Sequence, residues 1–181
     1  MTSHSAIVVP VPAAQRRPGL YSRFCFWLAR VVLLTAVVGL VTIVVAVAYQ
    51  VFGRYVLNDT PTWAESLALL LILWVTMFGA AIAVRDAGHI GFESLMELAP
   101  NHLRLWLQVL IHCLIGFFGA MMVWFGWGLV QSVISYPIPI LGVSEGLNYL
   151  PTVISGALIV LFSIDHILAL FTGVELELTW R

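Results

Sequence analysis

Four long apolar stretches, each broken by only a few charged or imidazole side chains, leave this sequence few folds to choose from. A helix needs about 20 predominantly apolar residues to cross the hydrocarbon core of a bilayer. Residues 28–52, 64–84, 105–130 and 151–171 all reach that length. Backbone polar groups find no water in lipid, so each must be satisfied within its own segment, and helices are the expected form. The predicted fold is an all-α membrane protein of four transmembrane helices. Composition agrees: 61% of the residues are hydrophobic and 9% charged, against about 25% charged in a soluble domain.

Orientation follows from the basic residues, all of which are arginine. With the N-terminus inside, Arg16, Arg17, Arg23, Arg30, Arg85, Arg104 and Arg181 lie on or near the inner side, and only Arg54 lies outside. That asymmetry predicts cytoplasmic termini. Trp27 and Trp106 then fall at the inner interface, and Trp63, Trp124 and Trp127 towards the outer one. Residues 1–22, rich in Pro and Ala, are expected to form a disordered cytoplasmic arm. Residues 23–174 would form the membrane domain and 175–181 a cytoplasmic tail. Ala46-Val47-Ala48 resembles a signal-peptide cleavage site, but the apolar run is too long and begins too late for a cleaved signal. The net charge of −1 gives no reason to expect a nucleic-acid partner. Cys25 and Cys113 match no metal or redox spacing and are expected as free, buried thiols.

The connections carry more information than the spans. Residues 53–63 are few enough to make spans one and two a tight hairpin. Thr62-Trp63-Ala64-Glu65 fits a capping box, in which Thr62 and Glu65 bond each other's backbone N–H groups. Alternatively Glu65 pairs with Arg54, which should lie at a similar depth on the adjacent helix end. Arg85, with Gly88 just beyond it, reads as helix-stop chemistry, and His89 falls at the interface. Residues 90–103 alternate apolar positions with Glu93 and Glu97, which predicts a short interfacial amphipathic helix between the second and third spans. Its acids would repel anionic lipid, so a protein neighbour fits it better. Residues 132–150 are apolar for an exposed loop and are expected to lie under another subunit rather than re-enter the membrane.

Nothing in the sequence arranges a nucleophile with a base, a phosphate loop or a metal site, so no catalytic residue and no metal is assigned. Inside the membrane, Arg30, His112, Asp165 and His166 fall in the inner half of the bundle. An Arg30–Asp165 salt bridge would relieve the cost of burying either charge. His112 and His166 come to similar depths, so they either bond between helices or ligate a haem. The chain has no internal repeat and no mid-membrane carboxylate, which argues against an independent carrier. Gly116, Gly119, Ala120 and Gly126, with Gly79, Ala80, Ala81 and Ala83, allow helices to approach closely.

Several of these residues occur in a familiar order. Gly53-Arg54-Tyr55-Val56, Thr62-Trp63-Ala64-Glu65, Gly79-Ala80-Ala81, Gly88-His89-Ile90, Leu141-Gly142-Val143 and Tyr149-Leu150-Pro151 follow one another along the chain. In that order and spacing the chain resembles the small integral-membrane subunit (the Q, or DctQ-like, subunit) of tripartite ATP-independent periplasmic (TRAP) transporters. The resemblance covers about residues 28–171. It departs from the family at Phe92-Glu93, where an aliphatic residue and an aspartate are expected, which weakens the role of that acid.

The resemblance implies a multi-pass protein of the bacterial inner membrane that scaffolds a large multi-span, sodium-coupled subunit. A periplasmic binding protein would deliver an organic acid to that pair. It also implies that substrate and ion sites lie elsewhere, with no cofactor expected, and that the two membrane subunits are separate polypeptides here. Arg54, Trp63, Glu65, Arg85, Gly88 and His89 would then be structural or partner-contact residues. The rival readings are a haem- or quinone-linked membrane anchor of a redox enzyme, and a membrane assembly protein with no transport partner.

Overall fold

The computed structural model describes residues 19–86, 101–172 and 179. Four helices account for nearly all of them: α1 (Leu20–Phe52), α2 (Thr62–Asp86), α3 (Asn101–Val133) and α4 (Gly146–Thr172). All four are long and apolar enough to cross a membrane. There is no β-strand among the described residues. The amphipathic helix expected over 90–103 falls largely outside the described residues, as do Gly88, His89, Glu93 and Glu97. Its last three positions, 101–103, belong to the start of α3.

The helices form two hairpins. α1 packs on α2, α3 packs on α4, and α2 meets α4 between them. The lateral order is therefore α1, α2, α4, α3, with α1 also touching α4. This makes α4 the most enclosed helix: Pro151, Ser155, Gly156, Leu158, Ile159, Phe162, Ser163, Asp165 and His166 are all buried. Most of the apolar surface of α1 and α3 points outward, including Leu34, Val38 and Val41 on α1 and Phe117, Phe118 and Trp124 on α3. In water such faces would drive aggregation; in a bilayer they meet lipid or a partner.

Small residues decide how close the hairpin helices come. Buried or half-buried positions on α3 recur as His112, Gly116, Gly119, Val123, Gly126 and Val130. The alternating steps of four and three are those of a left-handed helix pair. At the crossing, a Cβ on Gly119 would lie 2.8 Å from the Gly156 carbonyl oxygen, and a Cβ on Gly156 would lie 2.7 Å from that of Gly119. Backbone lies on backbone there, and neither position admits a side chain. Gly39 plays a similar part against Val75 of α2. Nothing lies within 4 Å of a Cβ at Gly79, so that glycine faces outward instead.

The α1–α2 and α3–α4 turns are both built by specific residues. Beyond Phe52 the chain widens into a π-helical turn, Gly53–Leu57, and Asn58 closes it in the left-handed conformation at φ 55°. Asn tolerates that region better than most residues. The Asp59 N–H donates back to the Gly53 carbonyl at 3.1 Å. A Cβ on Gly53 would lie 2.9 Å from the Asp59 carbonyl oxygen, so the turn requires glycine. Between α3 and α4 the chain folds back on itself. Ile138 N–H donates to Val143 at 2.7 Å, Glu145 N–H donates to Tyr136 at 2.8 Å, and Gly142 takes φ +65° at the tip. Ser144 Oγ donates to the Ile134 carbonyl at 2.6 Å and accepts the Gly146 N–H at 3.1 Å, tying the turn to the start of α4.

The sequence places the fourth span's start near Pro151, but α4 begins five residues earlier, with Pro151 inside it. Proline has no N–H, so the Leu147 carbonyl one turn back loses its helical donor. The Trp74 indole of α2 supplies one, with Nε1 3.1 Å from the Leu147 oxygen. The helix tolerates its proline because a neighbour satisfies the exposed carbonyl.

Candidate functional site

The charged and imidazole side chains buried in the bundle gather, with Thr179, at the end where α2 and α4 finish and α1 begins. Arg85, Asp86, His112, Asp165, His166 and Thr179 are each at most 7% exposed. Arg85 is the centre of the group. Its Nη1 lies 2.6 Å from Thr179 Oγ1 and 3.5 Å from Asp86 Oδ1. Its guanidinium lies over the rings of Phe26 and Phe162, at 5.4 and 5.9 Å from their centroids. Asp86 Oδ1 also accepts the Thr179 N–H at 3.2 Å and the Thr179 hydroxyl at 2.8 Å. Thr179 is thereby pinned to the end of α2, more than ninety residues away in the chain. Asp165 faces Ser22 of α1 and lies within the field of Arg85.

α4 carries the imidazoles. His166 Nε2–H donates to the Arg85 carbonyl at 2.9 Å, satisfying an acceptor in the last turn of α2. His112 of α3 stacks on His166 with ring centroids 4.5 Å apart and planes 6° from parallel. Two axial haem ligands must aim ring nitrogens at one iron lying between their edges. Face-to-face rings, one with a nitrogen committed to a backbone carbonyl, do not present that geometry. The pair works as interhelical packing that joins α3, α4 and α2.

Arg30 does not join the cluster. It lies exposed on the outer face of α1 and makes no ion pair with Asp165; the cation facing Asp165 is Arg85. Three contributors escaped sequence reasoning: Asp86, Thr179 and Tyr21, whose hydroxyl donates to the Leu161 carbonyl at 3.0 Å. Asp86 follows Arg85 directly, and that adjacency was the available signal. Thr179 left none, because its partner is distant in sequence. Of the two cysteines, Cys25 is buried and Cys113 is exposed on α3, opposite the seam that faces α4, which corrects the expectation that both are buried.

At the opposite end, Arg54, Trp63 and Glu65 are all exposed. Arg54 lies over the neighbouring Tyr55 ring at 5.9 Å and forms no ion pair with Glu65. The reciprocal capping box is also absent: α2 starts instead with the Ala64 N–H donating to the Pro61 carbonyl at 3.1 Å. Pro61 leads into the helix with its fixed φ, and Glu65 is left in the first turn, where an acid complements the helix dipole. Trp63 lies against Tyr49 of α1, centroids 5.9 Å apart, bracing the hairpin. The turn therefore presents one arginine and one glutamate outward, each available to a neighbour.

Residues 43–173 match the family model described as "Tripartite ATP-independent periplasmic transporters, DctQ component". The chain is 29% identical over 103 residues to the sialic acid TRAP transporter small permease protein SiaQ of Vibrio cholerae, covering 56% of this chain and 59% of that protein. It is 33% identical over 69 residues to the C4-dicarboxylate TRAP transporter small permease protein DctQ of the same organism, covering 38% and 30%. It is also 30% identical over 93 residues to the sialic acid TRAP transporter permease protein SiaT of Haemophilus influenzae, covering 51% of this chain and 15% of that protein. The chain thus spans less than two thirds of the length of each of these relatives. These relatives are transporter components rather than enzymes. A match across most of the four-helix domain, including the Gly53 turn, the α3–α4 crossing and the Pro151 helix, places this multi-pass membrane chain in the DctQ component family of tripartite ATP-independent periplasmic transporters.

Proposed function

We propose that the chain is the small membrane subunit of a TRAP-type uptake system in the bacterial inner membrane. It holds a large multi-span subunit in place, and that subunit carries the substrate pathway and the sodium coupling. A periplasmic binding protein delivers an organic acid to the pair. Both termini of the small subunit are cytoplasmic. The relatives named for sialic acid and C4-dicarboxylates support an acid substrate.

The observation that carries the scaffold reading is where the charge sits. Among the described residues, every Asp, Glu and Arg lies towards the ends of the helices, and the middle turns of all four spans hold none. Ion and substrate sites of secondary transporters lie near the bilayer midplane and need polar groups there. Here the midplane is occupied by the Gly119–Gly156 backbone contact, by the Ser155 hydroxyl committed to the Met77 carbonyl, and by apolar packing. The broad exposed apolar face of α3 leaves room for a large partner. The outer turns, with exposed Arg54, Glu65, Tyr136 and Ile140, lie on the side where a periplasmic protein would arrive.

Reconstitution tests this. Proteoliposomes holding the large subunit with the binding protein should take up substrate only when this chain is also present, and this chain with the binding protein alone should take up none. Uptake by the large subunit without this chain would remove the proposed role.

A further inference from the structure

Arg30 is a charge that the sequence would bury and the structure turns outward. It lies on the outer face of α1 with Arg23 and Trp27. The positions 23, 27 and 30 are spaced by four and three, so they share one face of the helix. All three are exposed, Trp27 at 63%, and among the described residues neither guanidinium has an ion-pair partner. An arginine at the edge of hydrocarbon is costly to leave without an anionic partner.

We propose that this face binds the phosphate of an anionic phospholipid. Depth supports a lipid headgroup. The stretch without a charged residue begins at Val31 and reaches Phe52, which at 1.5 Å per residue is about the 30 Å of the hydrocarbon core. Arg30 then sits at the boundary of that core. Arg23 lies about 10 Å further out, at the outer edge of the headgroup layer, with Trp27 at the interfacial level tryptophan prefers. The two guanidiniums bracket the depth of a phosphate, which arginine binds through paired N–H donors.

The rest of the face fits an acyl chain rather than a helix. Below Arg30 it continues through exposed Leu34, Val38 and Val41. Helices that associate in membranes bring small residues to the contact. On α1 the small residues Cys25, Ala29 and Ala36 are buried on the opposite side, against the bundle. The outward face offers a helix no place for close approach, but it offers a lipid two cations, an interfacial ring and a smooth apolar track. This depends on the membrane-spanning fold and not on the proposed transport role.

The test is lipid retention on the purified chain. Native mass spectrometry from detergent after brief exposure to phosphatidylglycerol or phosphatidylcholine should show selective carry-over of the anionic lipid. Removing one arginine near an anionic surface is worth about five-fold in binding. The Arg23→Gln/Arg30→Gln variant should therefore lose on the order of 25-fold, while Arg23→Lys/Arg30→Lys keeps most of it. Arg54→Gln, at the other end of the molecule, should leave it unchanged. An unaltered thermal midpoint in the double variant would show that the fold survives. Equal retention of the two lipids, or undiminished phosphatidylglycerol on the folded double variant, would overturn the proposal. So would loss of the large subunit from the double variant with lipid retention unchanged, because the arginines would then serve a protein contact.

Discussion

The Trp74 indole donates to the Leu147 carbonyl, the acceptor that Pro151 leaves without its helical partner. Two residues on different helices thus form one unit, joining the α1–α2 hairpin to the α3–α4 hairpin. Trp74→Phe should destabilise the protein by about 0.5–1.5 kcal/mol, the range of an interhelical hydrogen bond with some ring packing. In a Pro151→Ala background the helix regains its own donor to Leu147. The tryptophan substitution should then cost less, and a double-mutant cycle of thermal unfolding in detergent measures the difference. Equal costs in both backgrounds would separate the two residues.

The Gly119–Gly156 contact sets the spacing of α3 and α4. Gly156→Ala places a methyl group 2.7 Å from the Gly119 carbonyl oxygen, so the helices must part, at a cost of about 1–3 kcal/mol. Gly79→Ala meets nothing within 4 Å and should leave the unfolding midpoint unchanged. Helix propensity alone would favour alanine at both positions, so comparable losses from both substitutions would mean that close approach at the crossing does not govern the pair.

The cluster around Arg85 predicts an order of severity. Arg85→Gln removes the cation that faces both Asp86 and Asp165 and should cost about 3–5 kcal/mol, since buried charge is left uncompensated. Thr179→Val removes only a hydroxyl bridging Arg85 and Asp86, and about 1–3 kcal/mol is expected. Thermal unfolding ranks them, and a valine variant worse than the glutamine variant would contradict the central place given to Arg85.

At the α1–α2 turn, Arg54 and Glu65 are exposed without touching each other. Arg54→Glu and Glu65→Arg should each impair uptake or assembly independently, and combining them should not restore function. Rescue by the double reversal would show that they pair with each other in the working complex.

Much of this was legible in the residues. The four spans announce themselves by length and lack of charge, and Gly116, Gly119 and Gly126 of α3 signal close packing, whereas Gly79, Ala80 and Ala83 of α2 face outward. The partners of particular side chains were not legible. Arg30 and Arg85 look equally available to Asp165 in the sequence. Helix rotation decides between them, because Cys25, Ala29, Val32 and Ala36 turn the small face of α1 inward and carry Arg30 out. The start of α4 was misplaced because proline usually stops or opens a helix. The indole that lets Pro151 sit inside α4 lies on another helix, more than seventy residues earlier. Thr62 and Glu65 have the spacing of a capping box, but Pro61 provides the helix start by itself.

The central claim is that this chain works as the small subunit of a larger membrane complex, and affinity purification from its native membrane in mild detergent tests it most directly. The account predicts a large multi-span protein at near-equal abundance by mass spectrometry, retained by the wild-type chain. A chain that purifies alone, or with redox subunits and a haem absorbance, would contradict it.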